Sequence, residues 1–335
     1  MPKVLILGAT GYLGRQIANL LVQQGQNTVF GVARTPAKAT QLSKQEIIPI
    51  LCPDPVNEPG PYLSAIESKH IDVVIDAAGA DHGSHNFLND VAHLGAERLA
   101  DAKRRGVKGP TGKLGFIYCS GTWVHGSSSG HWRPEVNDLD IVGSGGNAPP
   151  EELVEWRVGM ENAVLGANDV LDVMILRPAL LYGRESTIWS SFIMPVYRAV
   201  QDGSGFSPIE IPLDAHSRPG LIHVDDAAAA FAKAVEKVHL FAGTGVYPVF
   251  DLVTSQEGMR EIFDALATCW GFGGEVVLKG HGGDLFAKAM STSFRGSSAR
   301  AQQLLGWKPK RLNGFVQDMD IFAAAFLAEH SDVNN

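Results

Sequence analysis

Four apolar residues, Val4-Leu5-Ile6-Leu7, run directly into Gly8-Ala9-Thr10-Gly11-Tyr12-Leu13-Gly14, and Gln16 to Gln23 then carries Ile17, Leu20 and Leu21 at helical spacing. That order predicts a buried strand, a tight turn and a helix. Glycines so spaced permit the turn, let a backbone approach a pyrophosphate, and let the helix lie close to the sheet. Amides exposed at the helix start would hold the anion. Gly8, Thr10, Gly11, Tyr12, Leu13 and Gly14 are therefore candidate cofactor residues; the alternative is an ordinary strand-to-helix turn.

The pattern that follows extends this unit. Val29 to Val32, Ile47 to Leu51, Val73 to Ile75, Gly115 to Cys119 and Val173 to Leu176 are short β-rich runs, with helix-like stretches at 86–105, 151–166 and 227–238. Such alternation predicts an α/β fold, a Rossmann doubly wound parallel sheet covered on both faces. With 335 residues, a smaller C-terminal substrate-binding region is expected beside it. The boundaries read as 1–177 for the dinucleotide-binding domain, with 223–244 returning to it, and 178–222 plus 245–335 for the smaller region. Glycines, serines and prolines between Gly126 and Pro150 predict a long surface loop, a candidate lid.

The second strand ends in Val32-Ala33-Arg34-Thr35, without the acidic residue that would grip a ribose 2′-hydroxyl. Arg34, with Lys38, instead suits a 2′-phosphate, so NADP(H) is the expected cofactor. Asp54 after the third strand is placed either for the adenine edge or to cap the turn at Pro53-Asp54-Pro55.

Composition narrows the partners. Net charge is −8 and the longest basic run is Lys103-Arg104-Arg105, so no nucleic acid is expected. No long apolar run predicts a membrane span. The N-terminus enters its first strand too soon for a secretory leader, and Cys52, Cys119 and Cys269 form no CxxC pair, which together predict a cytoplasmic protein without disulfides or zinc. His82-Gly-Ser-His85 lacks a third ligand, and no metal is expected.

Six motifs in order resemble the extended short-chain dehydrogenase/reductase family of nucleotide-sugar epimerases, dehydratases and related reductases. They are the glycine turn, Asp76-Ala-Ala-Gly79, Ser120-Gly-Thr-Trp-Val-His-Gly126, Arg177-Pro178-Ala-Leu-Leu-Tyr-Gly183, His223-Val-Asp-Asp226 and Leu305-Gly-Trp-Lys-Pro309. The resemblance implies that Ala77, Ala78 and Gly79 line the cofactor's ribose and phosphates and that Pro178 to Leu180 pass near the nicotinamide. It makes Asp225 and Asp226 structural, at a helix N-terminus where negative charge is favourable. It also implies a homodimer through 86–105 and 151–166.

The resemblance fails at the family's acid/base residues, a Ser or Thr followed by Tyr-x-x-x-Lys. Counted from Gly126, the hydroxyl position holds Gly121; counted from Glu161, the tyrosine and lysine positions hold Leu153 and Arg157. The other register, Trp156 and Met160, restores neither. Arg157 could hold the ribose or a substrate anion but cannot accept a proton. Thr122 and His125 are the remaining catalytic candidates, His125 because it titrates near neutrality, with Tyr182, His82 and His85 further off. Trp123, Trp132, Trp156 and Trp189 could wall an apolar pocket.

The expectation is an NADPH-dependent reductase of a carbonyl, imine or enone in a small, largely apolar metabolite. The alternatives are a non-redox enzyme effecting cyclisation, isomerisation or dehydration, and a protein that senses NADP(H).

Overall fold

The computed structural model describes residues 1–79, 81–106, 112–127, 148–202 and 207–331. Residues 128–147 of the candidate lid, Trp132 among them, and the His82 side chain lie outside the described residues.

The first half alternates strand and helix: β1 (Lys3–Leu7), α1 (Tyr12–Gln23), β2 (Thr28–Ala33), α2 (Pro36–Ser43), β3 (Ile48–Leu51), α3 (Gly60–Ser68), β4 (Val73–Asp76), α4 (Asp81–Arg104) and β5 (Leu114–Cys119). Then come α5 (Trp156–Gly166), β6 (Leu171–Pro178), β7 (Leu180–Tyr182), α6 (Ser190–Gln201), β8 (Ile209–Ile211), β9 (Gly220–His223) and α7 (Val224–Lys237). β10 (Val249–Leu252), β11 (Ser255–Gln256), α8 (Met259–Cys269), β12 (Val276–Leu278), α9 (Leu285–Met290), α10 (Gly314–Gln317) and α11 (Met319–Ser331) complete it.

Seven strands form one parallel sheet in the order β10-β6-β5-β4-β1-β2-β3. Both faces are covered, as the apolar runs predict. On β1, Val4 and Ile6 join a core with α1 and α7, while Leu5 and Leu7 join a second core with α3, α4 and α5. Alternate side chains of one strand therefore serve two cores. The strand order reverses between β1 and β4, the switch point where the carboxyl ends of an open α/β sheet leave a crevice.

The smaller region has its own core, in which Tyr182, Trp189 and Phe192 meet Phe263, Phe315 and Phe322. Its strands form a three-stranded sheet, β11-β9-β7, and the pair β12-β8. One expected boundary needs correction. Residues 249–252, assigned to the smaller region, are the outer strand of the large sheet, with Val249 opposite Ile175 and Leu252 opposite Pro178. Ala301, Leu305 and Trp307 also pack into the large body, the Trp307 indole donating to the Asp226 carbonyl at 3.0 Å. β10 covers the edge that β6 would otherwise leave open. Among the described residues no helix is long and apolar enough to cross a membrane.

Candidate functional site

Two adjoining cavities occupy the crevice and share Gly11, Ala77 and Ala78. The first, about 470 Å³, lies over the glycine turn and the ends of β2 and β3. The second, about 410 Å³, extends over the ends of β5 and β6 towards β7.

At the first cavity the turn is built so that only glycine fits. Gly8 has φ +86°, and a Cβ there would lie 2.6 Å from the Ala77 carbonyl oxygen. A Cβ on Gly14 would stand 2.1 Å from the Gly8 carbonyl oxygen, so the missing side chain sets how closely α1 meets the turn. Gly11 caps α1 without a side-chain acceptor. The first-turn amides thus have no intrahelical partner and border the crevice, a cradle that fits a pyrophosphate.

Gly8, Thr10, Gly11, Arg34, Lys38, Asp54, Ala77 and Ala78 all line this cavity. Arg34 is exposed, at the end of β2 beside the helix whose N-cap, Thr35, accepts from the Lys38 amide at 3.3 Å. The Asp54 carboxylate is engaged locally: it accepts from the Asn57 amide at 3.0 Å and the Asn57 side chain at 2.8 Å, which hold its pKa below the ordinary value. Turn capping, the second of the two readings of Asp54, is what the geometry displays.

Tyr12, Leu13, Gly79, Thr122, Arg157 and Pro178 line the second cavity, with Cys119, Ser120, Gly121, Trp123, Ala179, Leu180, Leu181, Thr187 and Ile188. The Tyr12 hydroxyl donates to the Gly183 carbonyl at 2.5 Å and Arg15 pairs with Glu185, so the glycine turn is tied to residues 183–186. Burial, and then the Glu185 charge, push the Tyr12 hydroxyl above its ordinary pKa. Gly183, Arg184 and Ser186 all have positive φ, which brings Thr187 and Ile188 to the cavity. Those two residues carried no sequence signal beyond the nearby glycine.

Arg157 and Gly121 fit one another. The backbone at Gly121 is extended, yet a Cβ there would lie 2.8 Å from Nη1 of Arg157. The guanidinium thus fills the space above residue 121. It also lies 5.4 Å from the centre of the Trp156 ring, and its Nε is buried with no hydrogen-bond partner. Burial pushes the neighbouring Cys119 thiol up to about 12, so it stays protonated.

The structure brings Thr122 and Arg157 together at the cavity and does not bring His125 there. As a proton donor to substrate, His125 is a correction: the residue is 2 % exposed and does not line the cavity. Its Nε2 lies 2.8 Å from Asp251 Oδ2, and it stacks on Phe294 with centroids 4.9 Å apart. Behind it, Arg177 donates to Glu161 through Nε at 2.9 Å and Nη2 at 2.6 Å, and its Nη1 lies 3.6 Å from Asp251. This buried network was not foreseen, since its members are single charges in separate apolar runs.

Tyr182 is likewise buried, stacked on Phe315, and outside the cavity. His85 does not line it either. Trp123 is in the wall, whereas Trp189 is core and donates to the Leu181 carbonyl at 2.9 Å. Asp226 accepts from the amides of Lys310 and Arg311, and Asp225 pairs with Arg184, structural ties at the α7 N-terminus. Among the described residues no three His, Cys, Asp or Glu side chains cluster as a metal site.

The model of the NAD dependent epimerase/dehydratase family matches residues 4–248, from β1 to the residue before β10. The chain belongs to that family. No curated protein sequence matches it. Among solved structures it is similar to dTDP-glucose 4,6-dehydratase from Bacillus anthracis in complex with NAD, at TM-score 0.68 and 13% identity over 99% of this chain and 98% of that one. It is similar to UDP-glucose 4-epimerase from Thermus thermophilus in complex with NAD, at 0.65 and 16% over 97% and 98%. A third, UDP-glucuronic acid 4-epimerase from Bacillus cereus with UDP-glucuronic acid and NAD, is 16% identical at 0.65 over 98% and 100%. At these identities the likeness is one of fold.

Proposed function

We propose that this family member is an NADP(H)-dependent oxidoreductase that reduces a carbonyl, imine or enone of a small molecule in the second cavity. The observation that carries the reading is the joined pair of cavities. One has an anion cradle flanked by Arg34 and Lys38; the other is walled by apolar side chains and holds Thr122 and Arg157. NAD in the solved relatives supports a nicotinamide dinucleotide in the same crevice, and Arg34 argues for the 2′-phosphorylated form.

When bound, the dinucleotide would supply or take the hydride. The chain's part is to seat the substrate against Trp123 and Leu180 and to donate from the Thr122 hydroxyl to the substrate oxygen. Arg157 keeps its charge throughout and orients the bound molecule electrostatically without giving up a proton. Protonation then falls to water reaching the cavity mouth.

Titration of the full chain with NADPH, NADP, NADH and NAD, followed by calorimetry, tests the cofactor. NADPH should bind about tenfold or more tightly than NADH, and Arg34→Ala should erase that difference. Equal binding of the two, or none, overturns it. A second reading, a reaction without net oxidation such as isomerisation or dehydration, is favoured by the epimerase and dehydratase relatives. It predicts substrate conversion without net NADPH consumption.

A further inference from the structure

Arg157 is a cation at the wall of the second cavity, near enough to act on the buried Asp76 carboxyl but not paired with it. Among the described residues no Asp or Glu makes an ion pair with it. Its Nε is buried without an acceptor, its Nη1 fills the space over Gly121, and the face of Trp156 lies against it. The same cavity is lined by Trp123, Pro178, Leu180 and Ile188.

A guanidinium cannot lose its charge, so this group cannot relieve the deficit by titrating. A charged donor partly withdrawn from water, lining a cavity and without an ion-pair partner, is stabilised by an anion that reaches it from that cavity. The cofactor's phosphates do not need Arg157, since the α1 cradle and Arg34 with Lys38 stand at the other cavity. A planar two-toothed donor is matched by a planar two-toothed acceptor, and the carboxylate is the common one.

We infer that the substrate of the second cavity carries a carboxylate, paired with Arg157, on an apolar or aromatic body lying against Trp123 and Leu180. For the reaction at the neighbouring carbonyl this rests on the function proposed above; for the ion pair it does not. The pairing fixes orientation: with the carboxylate on Arg157, the reacting carbon sits by Thr122, two chain positions from Ser120 and next to Gly121.

The test uses matched acids and amides as probes: benzoate and benzamide, phenylacetate and phenylacetamide, cinnamate and cinnamamide. Each is titrated calorimetrically into the full chain, alone and saturated with NADP. At least one acid should bind about tenfold more tightly than its amide. Arg157→Met should remove that preference, Arg157→Lys should restore part of it, and NADP affinity should change by less than about threefold in both. No preference for any acid, or a preference that survives Arg157→Met, overturns the inference. So does a loss of NADP binding in Arg157→Met with the acid preference intact, since Arg157 would then serve the ribose. If an acid binds with Arg157-dependent preference but no dinucleotide binds, the oxidoreductase reading fails and the ion pair stands. Should Arg157→Met not fold, Arg157→Gln provides the neutral comparison.

Discussion

Arg177, in β6, and Arg157, in the first turn of α5, both lie beside the short turn Thr122–His125, yet one is wholly paired and the other is not. Arg177 has no exposure, makes two hydrogen bonds to Glu161, and lies close to Asp251, which in turn holds His125. Glu161 sits four residues beyond Arg157 on the same helix, so α5 supplies a carboxylate to one arginine and none to the other. A buried charge persists when its partners replace the water it lost. Arg177 meets that condition and is part of the framework that holds the turn. Arg157 does not: its Nε is buried without a partner, and the residue lines a cavity. The contrast separates a charge that builds the site from one that awaits a ligand.

The largest effect should come from the paired side. Arg177→Met leaves Glu161 and Asp251 buried without their cation, and breaking such a network from one side costs about 3–5 kcal/mol. Urea unfolding should register that loss as a lower midpoint. Adding Glu161→Leu to it should recover part of the stability, because one stranded carboxylate is then gone. A loss below about 1 kcal/mol in the single variant would put Arg177 in the same class as a surface ion pair and remove the basis of the comparison.

How far each arginine could be read from the sequence follows from the same distinction. The parallel sheet was legible because alternation and length belong to local runs: Val4 to Leu7 is a strand by its own composition, and a Cβ at Gly11 or Gly14 would crowd the Gly8 carbonyl oxygen within the same turn. The return of Val249–Leu252 to the large sheet was not legible, since a four-residue apolar strand carries no mark of which edge it will join. The partners of Arg177 lie at positions 125, 161 and 251, and no spacing rule links residues so far apart. Read alone, His125 had the right chemistry for a proton donor; Asp251 and Phe294 turn it inward. The complementarity of Gly121 and Arg157 was hidden likewise. Each could be read as a departure at a separate position, while only the fold shows that the missing side chain makes room for the guanidinium.

A smaller effect probes what Arg157 does before any ligand arrives. Burial holds the Asp76 carboxyl above its ordinary pKa, and the Arg157 charge is among the groups that draw it back down. Arg157→Met should therefore raise that pKa further. A group whose pKa is raised on folding contributes stability at low pH and loses it as pH rises through the folded value. The penalty of Arg157→Met should thus be small near pH 4 and grow as the pH rises through the folded pKa of Asp76. Urea midpoints of the two proteins measured across this range would show it. A penalty independent of pH would mean that Asp76 does not sense the arginine, and that Arg157 has no electrostatic tie to the β4 carboxyl at all.

Gly121→Ala should have the smallest effect on stability and is the most selective test of the geometry. Residue 121 has φ −171°, a conformation alanine adopts without strain, and removing a glycine from an extended segment makes the unfolded chain less flexible, worth about 0.4–1 kcal/mol. Against this, the new methyl would stand 2.8 Å from Nη1 of Arg157, the far end of a flexible side chain that can swing away. The two terms nearly cancel, so the unfolding midpoint should hardly move. The guanidinium, however, can no longer occupy the space over residue 121, and the preference for an acid over its amide should fall with it. Unchanged stability with a lost preference locates the function in where the arginine is held. Unchanged stability with an unchanged preference would mean that its charge suffices from any nearby position, and that Gly121 has no part in the site.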